Sequence, residues 1–432
     1  MNTPLWHDEP REKEITKLDF GGIPVLSLEE RDRRWNDLRR RMYVRGIDAL
    51  ILYGSDVGYG RGNSLFRYIT HFADNHGAWG LFPLKGECVI MSGPRHMHVP
   101  YSKHNALTNW VTDIRPDLGV DKLIKEIKDR GLDKGKIGLV SIPASSVSSD
   151  ILPHAPVVML EKELPNVEFV DANAILVDMR LIKSKEELDF LYKAAGLARK
   201  KVEAMIEGVQ AGRTEADVYA DMFCADIRNG GEPQHFNLLS SGNVYDNDPG
   251  YKCMLHGAAQ PISPTMRVLR EGDLVISEFH SQYGGYMSGC EFSVFIGEPP
   301  KELAKIQEVA MQCLDQAIKT IKPGATLREA WTAIRQPILD NDMDWLELGF
   351  HGHGLCSPEF PNGCVYREED ARSSMVGDVP FLEDMIVCIN IDIHDPKWRK
   401  DVGVMFGDML HITKDGAKPL INIPREFICK SV

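Results

Sequence analysis

The stretch VISEFHSQYGGYMSGCEFSVFIGEPP, residues 275–300, constrains the fold of this chain more than any other. Two runs rich in β-branched and aromatic residues flank Tyr283-Gly284-Gly285-Tyr286, and paired glycines there supply the backbone of a tight hairpin turn. The flanking runs therefore pair as antiparallel strands. One face of the second strand presents Gly289, Glu291, Ser293 and Phe295 in a run that reads as fully buried. Glycine weakens a strand interior and marks a bulge or the close approach of another group. A glutamate in such a strand needs a partner, because buried charge is costly when unpaired. On the first strand the same alternation places Glu278 and His280 on one face.

At 432 residues the chain exceeds one typical core, and two domains are expected. A net charge of −13 argues against nucleic acid or an anionic membrane as the partner. No apolar run reaches the roughly 18 residues that cross a bilayer, and the first residues lack the basic-then-apolar order of a signal peptide. Nine scattered cysteines without C-x-x-C pairs fit reduced thiols in a cytoplasm.

Residues 1–175 alternate short β-rich runs (DALILYG, GAWGLFPL, ECVIMSG, KIGLVS, VEFVDA) with helical segments, which predicts an α/β domain with a mixed sheet. Its first helix follows a capping box, Ser27 and Glu30, and its many arginines read as a solvated face. Residues 176–432 open on a second box, Ser184 and Glu187, with a further N-cap at Thr214. Strands and loops then dominate, interrupted by two helices, and predict an α+β domain with helices outside a curved antiparallel sheet.

The succession RLIKSKEEL, SSG, REGDLVISEF, YGGYMSG, IKPGATLREA, HGHGL, LEDMIVCIN and GDMLHITKDG resembles the creatinase / aminopeptidase P / prolidase family over essentially the whole chain. That resemblance implies a creatinase-type N-terminal domain, a pita-bread catalytic domain and a homodimer. Peptidases of the family hold two divalent metals on five side chains. By position these fall on Glu278, Gly289, His351, Asn390 and Gly407, and a further family histidine falls on Pro358. On this reading the peptidase centre is largely lost, and Gly289 opens space where a carboxylate would project. Creatinase, which lacks metals, grips its substrate's guanidinium with a glutamate at the position of Glu291. Its second grip corresponds to Asn390, and His256 is the nearest counterpart of its catalytic histidine, although straight counting reaches Pro261. A His–Gly–x–Gly–Leu–Cys stretch also resembles the dimethylsulfoniopropionate-lyase branch, and Cys356 and Cys290 read as buried small hydrophobes.

The residues expected to carry catalysis are His351, Glu291, Glu278 and His256. Those expected to bind substrate are His280, His353, Glu359, Asn390, Asp392 and Tyr286, with His394 on the face of Asn390 and Asp392. The leading function is hydrolysis of a C–N bond in a small cationic or zwitterionic molecule, with no cofactor, an imidazole as general base and an ionised Glu291 as the cation grip. A second is a peptidase-like hydrolase or osmolyte lyase using one divalent metal on Glu278, His280, His351 and Asp392 or His394. A third is a binding protein without chemistry on the same fold. In the expected dimer, Tyr59, Arg61, Phe66 and His71 of one chain reach the partner's site.

Overall fold

The computed structural model describes residues 24–55, 64–72, 77–92, 110–115, 119–140, 152–233, 236–246, 264–362, 377–399 and 401–432. The chain divides into two units, Met1–Arg180 and Leu181–Val432. Among the described residues no helix is long and apolar enough to cross a membrane.

In the first unit, β1 (Ala49–Gly54), β2 (Ala78–Pro83), β3 (Val89–Ser92), β4 (Asp113–Arg115), β5 (Lys136–Leu139) and β6 (Glu168–Asp171) form one sheet in the order β4-β3-β2-β1-β5-β6. The sheet is mixed, as expected, with β1 antiparallel to β2 and parallel to β5. The helix Leu28–Arg45 starts where Ser27 Oγ accepts from Glu30 N and ends on Gly46 at φ 65°. It buries Trp35, Leu38 and Met42 on one face. Its arginines pair along the helix, Arg33 with Glu30 and Arg40 with Asp37. Arg34 departs from the expected solvated face. It is fully buried over Tyr68, bonded to Glu30 and to the Tyr68 carbonyl.

The structure corrects the expectation that Phe66 and His71 reach a partner subunit. Both are buried within the first unit, where His71 Nε2 accepts from Leu26 N at 3.1 Å and its ring lies against Trp110. Tyr59 and Arg61 lie outside the described residues.

The second unit contains two sheets. β7 (Asn237–Asn243), β8 (Asp273–Tyr283) and β9 (Tyr286–Ile296) precede β10 (Asp344–Gly352), β11 (Glu359–Asn362), β12 (Ile386–His394), β13 (Gly403–Met405), β14 (Met409–Thr413), β15 (Gly416–Pro419) and β16 (Ile428–Lys430). One sheet runs β16-β9-β8-β7; the other runs β11-β10-β12-β14-β15, with β13 beside β12. Pairing is antiparallel throughout except between β16 and β9. The hairpin forms as the glycines require: Tyr283 faces Tyr286 across Gly284 and Gly285, at φ 58° and 85°. The two sheets join where Glu291 and Gly407 exchange backbone hydrogen bonds, at 3.3 and 3.0 Å.

Capping boxes start three outer helices, at Ser184, Thr214 and Thr326. The helix Lys185–Gly208 packs on β8 and β9, and Ser288 Oγ donates to the Ala194 carbonyl across the contact. From the same helix Lys201 sends a fully buried ammonium to the His280 carbonyl (2.6 Å), to Asp226 (3.0 Å) and to Asn237 (3.2 Å). Lys201 thus ties the helix to β8 at His280 through a network of one cation and three acceptors.

Asp408, just before β14, accepts from Ile421 N and Ile423 N at 3.1 Å each, and burial pushes its carboxyl up to about 6. The folded pKa lies above the usual ~3.9 of an aspartate. Its protonated form therefore favours the fold: that contribution is complete below about pH 4 and is lost as pH rises through about 6. In urea melts, the stability of wild type relative to Asp408→Asn is expected to drop by about 2–3 kcal/mol between pH 4 and pH 7. A difference independent of pH would show that the carboxyl titrates normally.

Candidate functional site

Strand alternation and register assemble the site. In one sheet Glu278 lies opposite Glu291 and His280 opposite Gly289. In the other, His351 lies opposite Cys388, Gly349 opposite Asn390, and Glu347 opposite Asp392. The sheets are pinned to each other at this point: Glu291 Oε2 accepts from Ile391 N at 3.1 Å, and Cys388 Sγ donates to the Gly289 carbonyl at 3.3 Å. Every one of these side chains is buried.

Glu291 sits at the centre and is 1% exposed. Burial, and then the negative charges of Asp392, Glu278 and Glu347, push its carboxyl well above the usual range, against the opposing bond from Ile391 N. That direction opposes the ionised grip expected for Glu291 in the ligand-free chain. Its Oε1 has no hydrogen-bond partner among the described residues. Asn390, beside it, donates to Glu347 Oε1 at 3.4 Å, while its own Oδ1 lacks a partner among the described residues.

Gly289 does not open a space. A Cβ placed there would stand 2.8 Å from His353 Nε2 and 3.1 Å from Cys388 Sγ, so the imidazole already fills the room a side chain would take. Gly407 is tighter still, since a Cβ there would meet the Ile389 carbonyl oxygen at 2.0 Å and Glu291 Oε2 at 3.1 Å.

Hydrogen bonds fix the histidine tautomers. Carbonyl oxygens only accept, so the contacts of His353 Nδ1 to Met287 O (3.2 Å) and His351 Nδ1 to Gly352 O (3.3 Å) place a proton on Nδ1 of each ring, which in the neutral form is its one proton. The lone pair is then on Nε2. Ser357 donates to His353 Nε2 at 3.0 Å and lies 3.3 Å from His280 Nε2, which carries its proton towards the serine oxygen. His351 stacks on His353 with centroids 4.8 Å apart, and His280 stacks on Phe236.

The structure brings together Glu278, His280, Glu291, His351, His353, Asn390 and Asp392 from the sequence-based set. Tyr286 is a correction. It lies on the opposite face of β9, where its hydroxyl donates to Glu187 Oε1 at 3.0 Å and its ring meets Phe190. Glu359 is also corrected, because its carboxylate is ion-paired with the buried Lys183 rather than turned to a substrate. His394 ends β12, with burial lowering its pKa against Asp344 and Asp395. His256 and Pro261 lie outside the described residues. Cys290 and Cys356 are buried cysteines outside any disulfide among the described residues, in line with their reading as small hydrophobes. Three site residues were not anticipated: Glu347, Ser357 and Cys388. Counting back by twos from His351 and from Asn390 reaches Glu347 and Cys388; Ser357 carried no such signal.

A mixed-sheet unit followed by an α+β unit with carboxylates and imidazoles between its sheets defines the class as creatinase-type. The chain belongs to metallopeptidase family M24, whose profile matches residues 189–414, and residues 34–182 match the creatinase/prolidase N-terminal domain. It is similar to an Xaa-Pro dipeptidase of Pyrococcus horikoshii, 27% identical over 354 residues, covering 81% of this chain and 90% of that protein. It is also similar to the ectoine hydrolase of Halomonas elongata, 22% identical over 424 residues, covering 94% and 99% of the two chains. The crystal structure of the prolidase from Pyrococcus horikoshii superposes with a TM-score of 0.72 at 23% identity over 92% of this chain and 100% of that one, which shows the shared fold.

Proposed function

We propose that this chain hydrolyses a C–N bond of a small cationic or zwitterionic molecule without the metal pair of the family's peptidases. The observation that carries the reading is Glu291: a carboxyl pushed up by its full burial and then by three neighbouring acids, with one oxygen lacking a partner among the described residues. A cation entering beside it would supply the missing charge and hydrogen-bond donor, and the carboxyl would then ionise.

The residues present do not fit the peptidase metals. Two of the five positions that resemblance assigns to ligands are Gly289 and Gly407, and at both a Cβ would collide with the structure already there. The end-to-end match to an ectoine hydrolase supports a cyclic amidine carrying a carboxylate as the substrate class.

In this reading Glu291 holds the amidinium. His351 is the general base, since it is 7% exposed where His353 is fully enclosed, and its Nε2 carries the lone pair. Water gives a proton to His351 Nε2 as its oxygen bonds to the amidinium carbon. The C–N bond then breaks, the released nitrogen takes the proton, and the products are an amide and an amine. His353, held by Met287 O and Ser357, keeps the His351 ring in place by stacking.

A second reading, a metal-dependent Xaa-Pro dipeptidase, is favoured by the 27% identity to the Pyrococcus protein. It requires a donor set other than the peptidases' own.

Glu291→Gln tests the proposal. The variant keeps shape and loses the ability to carry charge, so affinity for a cyclic amidine such as ectoine should fall tenfold or more, about 1.4 kcal/mol. Its melting temperature should stay level or rise, because a crowded carboxyl is removed. Unchanged binding with a lowered melting temperature would make Glu291 a structural residue instead.

A further inference from the structure

Beside the carboxylates lies a second cluster of different chemistry. His351, His353 and Cys388 offer two imidazole nitrogens and one sulfur, all within 4.8 Å of one another and all buried. The strands place them there independently. His351 and Cys388 are direct cross-strand neighbours on β10 and β12, and His353 follows at the end of β10 with its backbone N donating to Ile386 O at 3.2 Å.

Two features make this set suited to a metal. The two rings are already in one tautomer, each donating Nδ1–H to a backbone carbonyl, as metal-ligating histidines do with their second nitrogen. That arrangement fixes ring orientation before any ion arrives and turns both Nε2 lone pairs away from the carbonyls; on His353 the ion would displace the 3.0 Å contact from Ser357 Oγ. His353 Nε2 and Cys388 Sγ both approach the same point, 2.8 and 3.1 Å from where a Gly289 Cβ would be, so a residue larger than glycine at 289 would push the two donors apart.

We propose that His351, His353 and Cys388 form a three-donor site for one borderline-soft transition-metal ion of the Zn2+ or Co2+ class. Two nitrogens and a thiolate suit such an ion, whereas the hard, oxygen-rich pair of a peptidase would take its donors from carboxylates. On binding, the Cys388 thiol gives up its proton to solvent and its sulfur becomes the anionic ligand. The proposal does not rest on the hydrolytic reading, but the site shares His351 with it. Occupancy would engage the His351 nitrogen assigned there as base, so the ion would act as an inhibitor of that chemistry.

The test reads the ion's spectrum rather than turnover. The metal-depleted full-length chain is titrated with Co2+. One equivalent should produce a thiolate-to-cobalt charge-transfer band, which Zn2+ then abolishes by displacement. Cys388→Ser should lose the band, and His353→Gln should weaken Co2+ binding at least tenfold. Glu278→Gln should leave the band unchanged. X-ray absorption of the Zn2+-loaded wild type needs no variant to fold, and it should show one sulfur at about 2.3 Å and nitrogen at about 2.0 Å. No charge-transfer band in wild type, a band that persists in Cys388→Ser, or an all-oxygen shell around zinc would each overturn the proposal.

Discussion

Gly407→Glu, which restores a carboxylate where resemblance places one in the peptidases, is expected to unfold the second unit and not to create a metal centre. Its Cβ would lie 2.0 Å from the Ile389 carbonyl oxygen, a backbone atom of β12. Relief requires the strand itself to move. Gly407 is also the residue that joins the sheets, donating its N–H to the Glu291 carbonyl at 3.0 Å and accepting from Glu291 N at 3.3 Å. Both bonds would be lost in any shift. Overpacking alone costs about 1–3 kcal/mol, and two broken buried bonds bring the total to roughly 4 kcal/mol or more. Gly289→Asp is milder, because the atom in the way belongs to the His353 ring, but that ring can yield only by leaving Met287 O and Ser357. Urea melts followed by circular dichroism check both variants. Wild-type stability in Gly407→Glu would show that the sheets are looser than their contacts indicate.

Lys201→Met carries the second large effect. The ammonium is fully buried, and burial lowers its pKa while Asp226 raises it. Burial likewise raises the Asp226 carboxyl, and Lys201 opposes that. Removing the cation strands a buried carboxyl and frees the His280 carbonyl, at an expected cost of about 3–5 kcal/mol. Adding Asp226→Asn should recover part of that loss, because the stranded group is then neutral. Equal stability of the single and double variants would place the loss in the carbonyl and Asn237 contacts instead. The buried pair matters to the site because it anchors the strand that carries Glu278 and His280.

The hairpin, the helix starts and the shared faces were legible because each follows from local rules. Paired glycines between β-rich runs set the register that puts Glu278 against Glu291, and a Ser-x-x-Glu box set the start of the helix Lys185–Gly208. What was not legible depends on a second segment far along the chain. Gly289 read as a space because its filler, His353, arrives from another sheet. Glu359 read as a binding residue because Lys183, which neutralises it, lies 176 positions away. Arg34 read as solvated because Tyr68, which covers it, sits on a different helix. Glu291 read as ionised because its own strand does not reveal that Asp392 and Glu347 converge on it from the facing sheet.

The central claim is C–N hydrolysis of a small cation by protein groups alone. It is tested most directly by giving the chelator-dialysed chain a cyclic amidine and an Xaa-Pro dipeptide side by side, with and without added Mn2+, and following both by NMR. The account expects the cyclic amidine to open to its amide at the same rate with or without Mn2+, and the dipeptide to stay intact in both. Cleavage of the dipeptide only when Mn2+ is present, with the amidine untouched, would contradict it.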